Sequence, residues 1–90
     1  MVRCHIIVHG RVQGVGYRYY VQERAYLYGI HGWVKNRFDG TVEIDAEGTE
    51  ENLKHFLRSV REGPRYAIVE DLEIKKTGTL RNYETFRIER

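Results

Sequence analysis

The sequence is organised around residues 9–18, which read HGRVQGVGYR. Residues 2–8, before this stretch, are rich in β-branched types and predict a strand. After it, apolar and aromatic side chains recur at helical spacing from Tyr17 to Tyr28 and predict a helix. The stretch therefore forms a tight strand-to-helix connection, whose glycines are Gly10, Gly14 and Gly16.

A glycine-rich connection of this kind is suited to binding an anion. Glycines allow backbone N–H groups to converge without clashes from Cβ atoms, and the positive end of the helix dipole lies directly behind them. Converging N–H groups at a helix N-terminus typically bind phosphate. Arg18, in the first turn of the helix, can add a planar guanidinium to the same pocket. The stretch is a candidate phosphoryl-binding loop.

Two nucleotide-binding motifs are excluded by the spacing of the stretch. Position 19 is not glycine, so the dinucleotide fingerprint is absent, and no Gly-Lys-Ser/Thr sequence marks a nucleoside-triphosphate loop. A turn that simply joins a strand to a helix remains an alternative explanation of the glycines taken alone.

Length and composition indicate one globular domain over residues 1–90, with 41% hydrophobic and 31% charged residues. No apolar run is long enough for a transmembrane helix, and no signal-peptide pattern follows Met1. The single cysteine, Cys4, allows no internal disulfide and is expected to be buried. These features predict a cytoplasmic protein. The net charge of +2 is too small to indicate nucleic acid or an anionic membrane as a partner.

The rest of the chain predicts further strands and one more helix. Clean alternation at residues 41–47 predicts Val42, Ile44 and Ala46 facing inward, and Thr41, Glu43, Asp45 and Glu47 facing water. In order, the predicted elements after the first helix are strands 30–35 and 41–47 joined by an Asp-Gly turn, a helix between Thr49 and Gly63, and strands 68–74 and 83–89.

This β-α-β-β-α-β order, with a short terminal strand added, predicts an α+β fold. Strands that are apolar on one face and polar on the other take helices on one side only. The arrangement is the ferredoxin-like split βαβ sandwich, with two helices on one face of a four- to five-stranded antiparallel sheet.

Two motifs in register resemble the acylphosphatase family. The first is GRVQGVGYR at residues 10–18; the second is GWVKN at residues 32–36, followed by DGTVE at residues 39–43. The similarity spans nearly the whole chain and agrees with the predicted element order. It implies metal-free and cofactor-free hydrolysis of acyl phosphates to a carboxylate and phosphate.

The resemblance also implies roles for individual residues. Arg18 binds phosphate oxygens, Asn36 holds the attacking water, and Thr41 stands where the family often has a threonine that supports the asparagine strand. Tyr17 replaces a commoner phenylalanine, and Gly16 stands where vertebrate members have cysteine; neither change removes a catalytic group. The loop residues that wrap the phosphate with backbone N–H groups are Gly10, Arg11, Val12, Gln13, Gly14, Val15 and Gly16.

The chemistry of acyl phosphates fits these residue types. The leaving carboxylate is a weak base and needs no general acid, so the site must hold the phosphoryl group, spread its charge and aim a water in line. Loop amides and Arg18 supply preorganised donors. Asn36 can accept from water and donate to it but cannot take its proton at neutral pH. By elimination, we hypothesise that the proton passes to a phosphate oxygen of the substrate.

Two other functions are compatible with the predicted fold, and the residues disfavour both. An RNA-recognition module shares the element order, but its aromatic motif belongs on a central strand, whereas residues 17–20 begin a helix here. Outward acidic residues on the third strand would also repel phosphate. A catalytically silent anion-binding domain is allowed by the fold alone, and the presence of both Arg18 and Asn36 argues against it.

We expect an acyl phosphate substrate, inorganic phosphate as product and inhibitor, no cofactor or metal, and a monomer. The sequence leaves the physiological acyl phosphate open. The histidines show no metal-ligand spacing, and a role for His9 beside the loop stays open. They are His5, His9, His31 and His55.

Overall fold

The computed structural model describes all 90 residues and forms one five-stranded sheet with two helices. In chain order the elements are β1 (Val2–Arg11), α1 (Tyr17–Tyr28), β2 (His31–Asn36), β3 (Val42–Gly48), α2 (Glu50–Glu62), β4 (Ile68–Thr77) and β5 (Phe86–Ile88). The strand order across the sheet is β4-β1-β3-β2-β5, and both helices pack on it in a ferredoxin-like α+β fold. The predicted fold class is confirmed.

The core lies between the helices and alternate residues of the central strands. Ile6 of β1 pairs directly with Ile44 of β3, and both are fully buried. The helices contribute apolar stripes to the same cluster. Burial of each valine, leucine, isoleucine or phenylalanine side chain in this cluster stabilises the fold by roughly 1.5–3 kcal/mol before entropy is counted. The buried apolar residues of the two helices are Tyr17, Val21 and Ala25 of α1 and Leu53, Phe56 and Val60 of α2.

Both helices begin and end where the sequence predicts. Gly29 ends α1 in a left-handed conformation at φ 66°, which glycine adopts without strain. Thr49 caps α2, because its hydroxyl oxygen accepts a hydrogen bond from the Asn52 N–H at 3.1 Å. Neither helix is long and apolar enough to cross a membrane.

β1 is longer than predicted, because the chain continues as a strand through Gly10 and Arg11. After a register shift at His9 and Gly10, these two residues pair with Val69 and Ile68 of β4. A Cβ atom at Gly10, where φ is +127°, would lie 2.1 Å from the Ile68 carbonyl oxygen. The glycine therefore permits a close approach of two strands, a role that its place in a glycine-rich motif does not reveal.

The sheet is mixed, and the prediction of an antiparallel sheet is wrong for one pair of strands. β5 runs parallel to β2, with Gly32 opposite Phe86. β4 and β5 lie at opposite edges of the sheet. Residues 78–85, here called the crossing segment, connect them and contact β1, β3 and β2 in turn. The last residue of β4 and the first residue of β2 lie at the same end of the sheet. A chain that leaves β4 and crosses the sheet at that end must therefore enter its next strand in the same direction as β2.

The prediction that the polar residues of 41–47 face water is also wrong for Thr41, Asp45 and Glu47, whereas Glu43 is half-buried. Asp45 is 3% exposed and Glu47 is 4% exposed, because the crossing segment covers them. Arg3 Nη1 donates to both carboxylate oxygens of Asp45, at 2.9 and 3.2 Å, and the Tyr83 hydroxyl donates to the same carboxylate. Thr41 is 7% exposed. Alternation identifies the two faces of the strand but not what later covers them.

Glu47 holds the crossing segment through the backbone. Its carboxylate accepts the N–H groups of Arg81, Asn82 and Tyr83, the last two at 3.3 and 3.1 Å. Asn82 adopts a positive φ of 59°, which lets the successive N–H groups turn towards one anion. The buried negative charge is therefore compensated by donors of the chain itself.

We expect Glu47→Gln to destabilise the fold by about 2–3 kcal/mol, because an amide nitrogen would face backbone donors and leave one unpaired. Denaturation by urea, monitored by tryptophan fluorescence, measures this loss. Glu84→Gln, an exposed change in the same crossing segment, is the control and should change stability by less than about 0.5 kcal/mol. Equal stability of the two variants would contradict the role given to Glu47.

Candidate functional site

A cavity of about 420 Å³ opens where loop 12–16 meets the end of β2. Val42 of β3 is the register partner of Val8 on one side and of Asn36 on the other. Asn36, the last residue of β2, therefore lies at the same height in the sheet as the part of β1 that leads to the loop. The lining residues come from the loop, α1, β2 and the C-terminus. They are Val12, Gly14, Gly16, Tyr17, Arg18, Tyr19, Asn36, Ile88 and Arg90.

The loop has the backbone conformation that glycine favours. Gly14 and Gly16 adopt φ values of 71° and 75°, and a Cβ atom at either position would meet no atom within 4 Å. Backbone conformation, not crowding, therefore favours glycine at both positions. Gly16 precedes α1, whose first turn carries no acidic residue. The first turn of α1 therefore adds no acidic side chain to the helix N-terminus, which is suited to an external anion.

Arg18 is held at the cavity by the segment that follows β5. Its Nη1 donates to the Glu89 carbonyl oxygen at 3.1 Å, and the Glu89 N–H donates to the Val34 carbonyl oxygen at 2.8 Å. The guanidinium is thus fixed from one side while further N–H donors remain for an anion.

Asn36 lines the same cavity and carries an unpaired acceptor. Its side-chain oxygen Oδ1 is buried and has no hydrogen-bond partner within the protein. A buried polar atom without a partner is unfavourable by about 1–3 kcal/mol, so such atoms in native structures usually receive a water or a ligand. The same residue lines the cavity that Arg18 and the loop glycines line.

Thr41 supports the turn that follows Asn36. Its hydroxyl donates to the Asp39 carboxylate at 2.6 Å, and its N–H donates to the same oxygen at 3.0 Å. These two hydrogen bonds hold the pKa of the Asp39 carboxyl below its usual range. Thr41 does not line the cavity. Its contacts are those of a residue that shapes the end of β2.

The predicted site residues thus divide into two groups. Val12, Gly14, Gly16, Arg18 and Asn36 come together around the cavity. The other predicted residues lie beside it. They are Gly10, Arg11, Gln13, Val15 and Thr41. The first two pair with β4, Val15 packs on the core, and the remaining two form hydrogen bonds within or to the turn after Asn36.

Sequence reasoning missed the contribution of the C-terminus. Ile88 and Arg90 line the cavity, and the Glu89 carbonyl contacts Arg18. No local pattern identifies these residues, because their position depends on the parallel pairing of β5 with β2. Tyr19 also lines the cavity, and the aromatic pattern of α1 does not single it out.

The histidines lie outside the cavity. His5 and His9 each pair with a carboxylate, Glu43 at 2.6 Å and Glu73 at 2.5 Å. No group of three or more His, Cys, Asp or Glu side chains in the chain is arranged to hold a metal ion.

Comparison with known proteins identifies the family of the chain. The acylphosphatase family model matches residues 4–88. An acylphosphatase of Bacillus licheniformis is 49% identical over 88 residues, which are 98% of each chain. The crystal structure of acylphosphatase from Bacillus subtilis superposes with a TM-score of 0.98 at 44% identity, covering 100% of both chains. An acylphosphatase structure from Coxiella burnetii gives a TM-score of 0.92 at 32% identity, over 98% of this chain and 92% of that one. The chain therefore belongs to the acylphosphatase family of hydrolases.

Proposed function

We propose that the chain hydrolyses acyl phosphates by in-line attack of a water that Asn36 positions. The phosphoryl group is bound by backbone N–H groups of the loop, residues 12–16, and by Arg18. One observation carries the proposal: Asn36, whose buried Oδ1 has no hydrogen-bond partner in the protein, lines the same cavity as Arg18 and the loop glycines. The cavity thus combines one free acceptor, suited to water, with donors suited to phosphate oxygens.

The reaction follows from these groups. The water oxygen forms a bond to phosphorus while the bond between phosphorus and the acyl oxygen breaks, and its electron pair leaves with the carboxylate. Arg18 and the loop N–H groups stabilise the charge on the phosphoryl oxygens without having to reorganise. The carboxylate leaves unprotonated because it is a weak base.

Asn36 acts by geometry and not as a base. Its Oδ1 accepts a hydrogen bond from the water and thereby turns an oxygen lone pair towards phosphorus. An amide cannot remove the proton at neutral pH. The proton therefore passes to an oxygen of the phosphoryl group, and dihydrogen phosphate or its conjugate base is released.

One chain provides every residue of this mechanism, so we expect a monomer to be active. The mechanism uses no metal or cofactor, and the proposed groups are complete without either. The expectation of a cytoplasmic location rests on the single, buried cysteine, and the expectation of no nucleic acid or membrane partner rests on the modest net charge.

The first test concerns the metal and the product. We expect benzoyl phosphate hydrolysis to continue at the same rate with a chelator present, and inorganic phosphate to inhibit competitively, because backbone donors and Arg18 bind the phosphoryl group. Steady-state assays with a phosphate monoester as the control substrate measure both. Activity lost to the chelator and restored by one divalent ion would overturn the metal-free mechanism.

The second test replaces Arg18 with lysine, which keeps the charge but loses the planar, bidentate donor. We expect KM to rise strongly and kcat to fall by at least about 10²-fold, as for loss of a main transition-state donor. Arg61→Lys, at an exposed position in the last turn of α2, is the matched control. Normal turnover and phosphate affinity in Arg18→Lys would remove Arg18 from the site.

The third test separates chemistry from binding with Asn36→Ala. We expect kcat to fall by roughly 10²-fold or more while the inhibition constant of phosphate changes little, because the loop and Arg18 remain. Asn36→Asp should not restore the rate, since its charge would lie beside the phosphate.

Asn52→Ala, on α2 and away from the cavity, is the control for these two variants. Unfolding curves recorded in parallel check that each variant is folded. A folded Asn36→Ala protein with the parent rate would exclude Asn36 from the mechanism.

A further inference from the structure

The side chain of Gln13 joins the phosphate-binding loop to the turn that begins after Asn36. Its amide nitrogen Nε2 donates to the carbonyl oxygens of both Arg37 and Thr41, at 2.8 and 2.9 Å. Both amide hydrogens are thus used, one on each end of the turn. Residues 12–16 read VQGVG, so Gln13 is the one polar side chain that the loop possesses.

The turn itself is closed without Gln13. The Arg37 N–H donates to the Thr41 carbonyl oxygen at 2.9 Å, and the Gly40 N–H donates to the Arg37 carbonyl oxygen at 3.2 Å. Asp39 adds the two hydrogen bonds from Thr41. The turn is therefore internally satisfied, and the bonds from Gln13 serve to fix its distance from the loop.

We propose that Gln13 is a positioning residue that sets the distance between the bound phosphoryl group and the water held by Asn36. Asn36 directly precedes Arg37, the first residue of the turn. A movement of the turn relative to the loop would therefore also move the Asn36 side chain. In-line attack requires the water, phosphorus and leaving oxygen to align, and a shift of about 1 Å can lower a rate by about 10²-fold. This inference rests on the proposed function and adds to it a residue that touches neither water nor substrate through its side chain.

Gln13→Met tests the proposal, because methionine has a similar length but donates no hydrogen bond. The Arg37 and Thr41 carbonyl oxygens keep their partners within the turn, so neither is orphaned. We expect kcat to fall by about 10-fold or more and the phosphate inhibition constant to change by less than about 2-fold. Gln22→Met is the matched control, since Gln22 also donates to a main-chain carbonyl, that of Phe86 at 3.1 Å.

A double-mutant cycle with Asn36→Ala distinguishes positioning from general support. If Gln13 acts through Asn36, then Gln13→Met made in the Asn36→Ala background should lower kcat by less than about 2-fold. A full loss in that background, or a rise in the phosphate inhibition constant equal to the loss in kcat, would overturn the inference. An Asn36→Ala protein that retains the parent rate would instead exclude Asn36 from the proposed mechanism and overturn this inference with it.

Gln13→Asn provides a second variant with the same polarity and a side chain one methylene shorter. It should show the same loss in kcat, because the shorter amide cannot span both carbonyl oxygens. Unfolding curves accompany all kinetic measurements. A folded Gln13→Met or Gln13→Asn protein with the parent kcat would show that the distance does not depend on Gln13.

Discussion

The site depends on the pairing of β3 with two neighbours in the antiparallel sense. β1 and β2 are both antiparallel to β3, so they run in the same direction and their C-terminal residues lie at the same end of the sheet. The loop follows β1, and Asn36 is the last residue of β2. Val42 of β3 is the register partner of Val8, three residues before the end of β1, and of Asn36, the last residue of β2. Donors for phosphate and an acceptor for water therefore meet in one cavity.

The protein applies the same physics to anions in two places. At one end of β3, the Glu47 carboxylate accepts successive backbone N–H groups of the crossing segment. Near the other end, loop 12–16 presents a glycine-rich backbone and the N-terminus of α1, with no acidic side chain in its first turn. The first anion belongs to the chain and stabilises the fold. At the second, we propose that the donors bind the phosphoryl group of a substrate.

The chain path between these two places also explains the support given to Arg18. The crossing segment carries the chain from β4 to the opposite edge, where β5 pairs with β2. That pairing continues through the Glu89 N–H on Val34, and the Glu89 carbonyl in turn receives Arg18. The segment that the buried carboxylates hold at one end of the sheet therefore leads into the strand whose continuation contacts Arg18 at the other end.

The sequence by itself determined the types and most bounds of the elements, the glycine-rich loop and the chemical capacity of Arg18 and Asn36. These depend on local properties: periodicity, capping by Thr49 and left-handed backbone at Gly14, Gly16 and Gly29. Only the tertiary structure decided the burial of Asp45 and Glu47, the parallel pairing of β5, the strand role of Gly10 and the bridge made by Gln13. Each of these depends on a contact between residues far apart in sequence, and alternation or spacing within one segment carries no information about the partner that covers it.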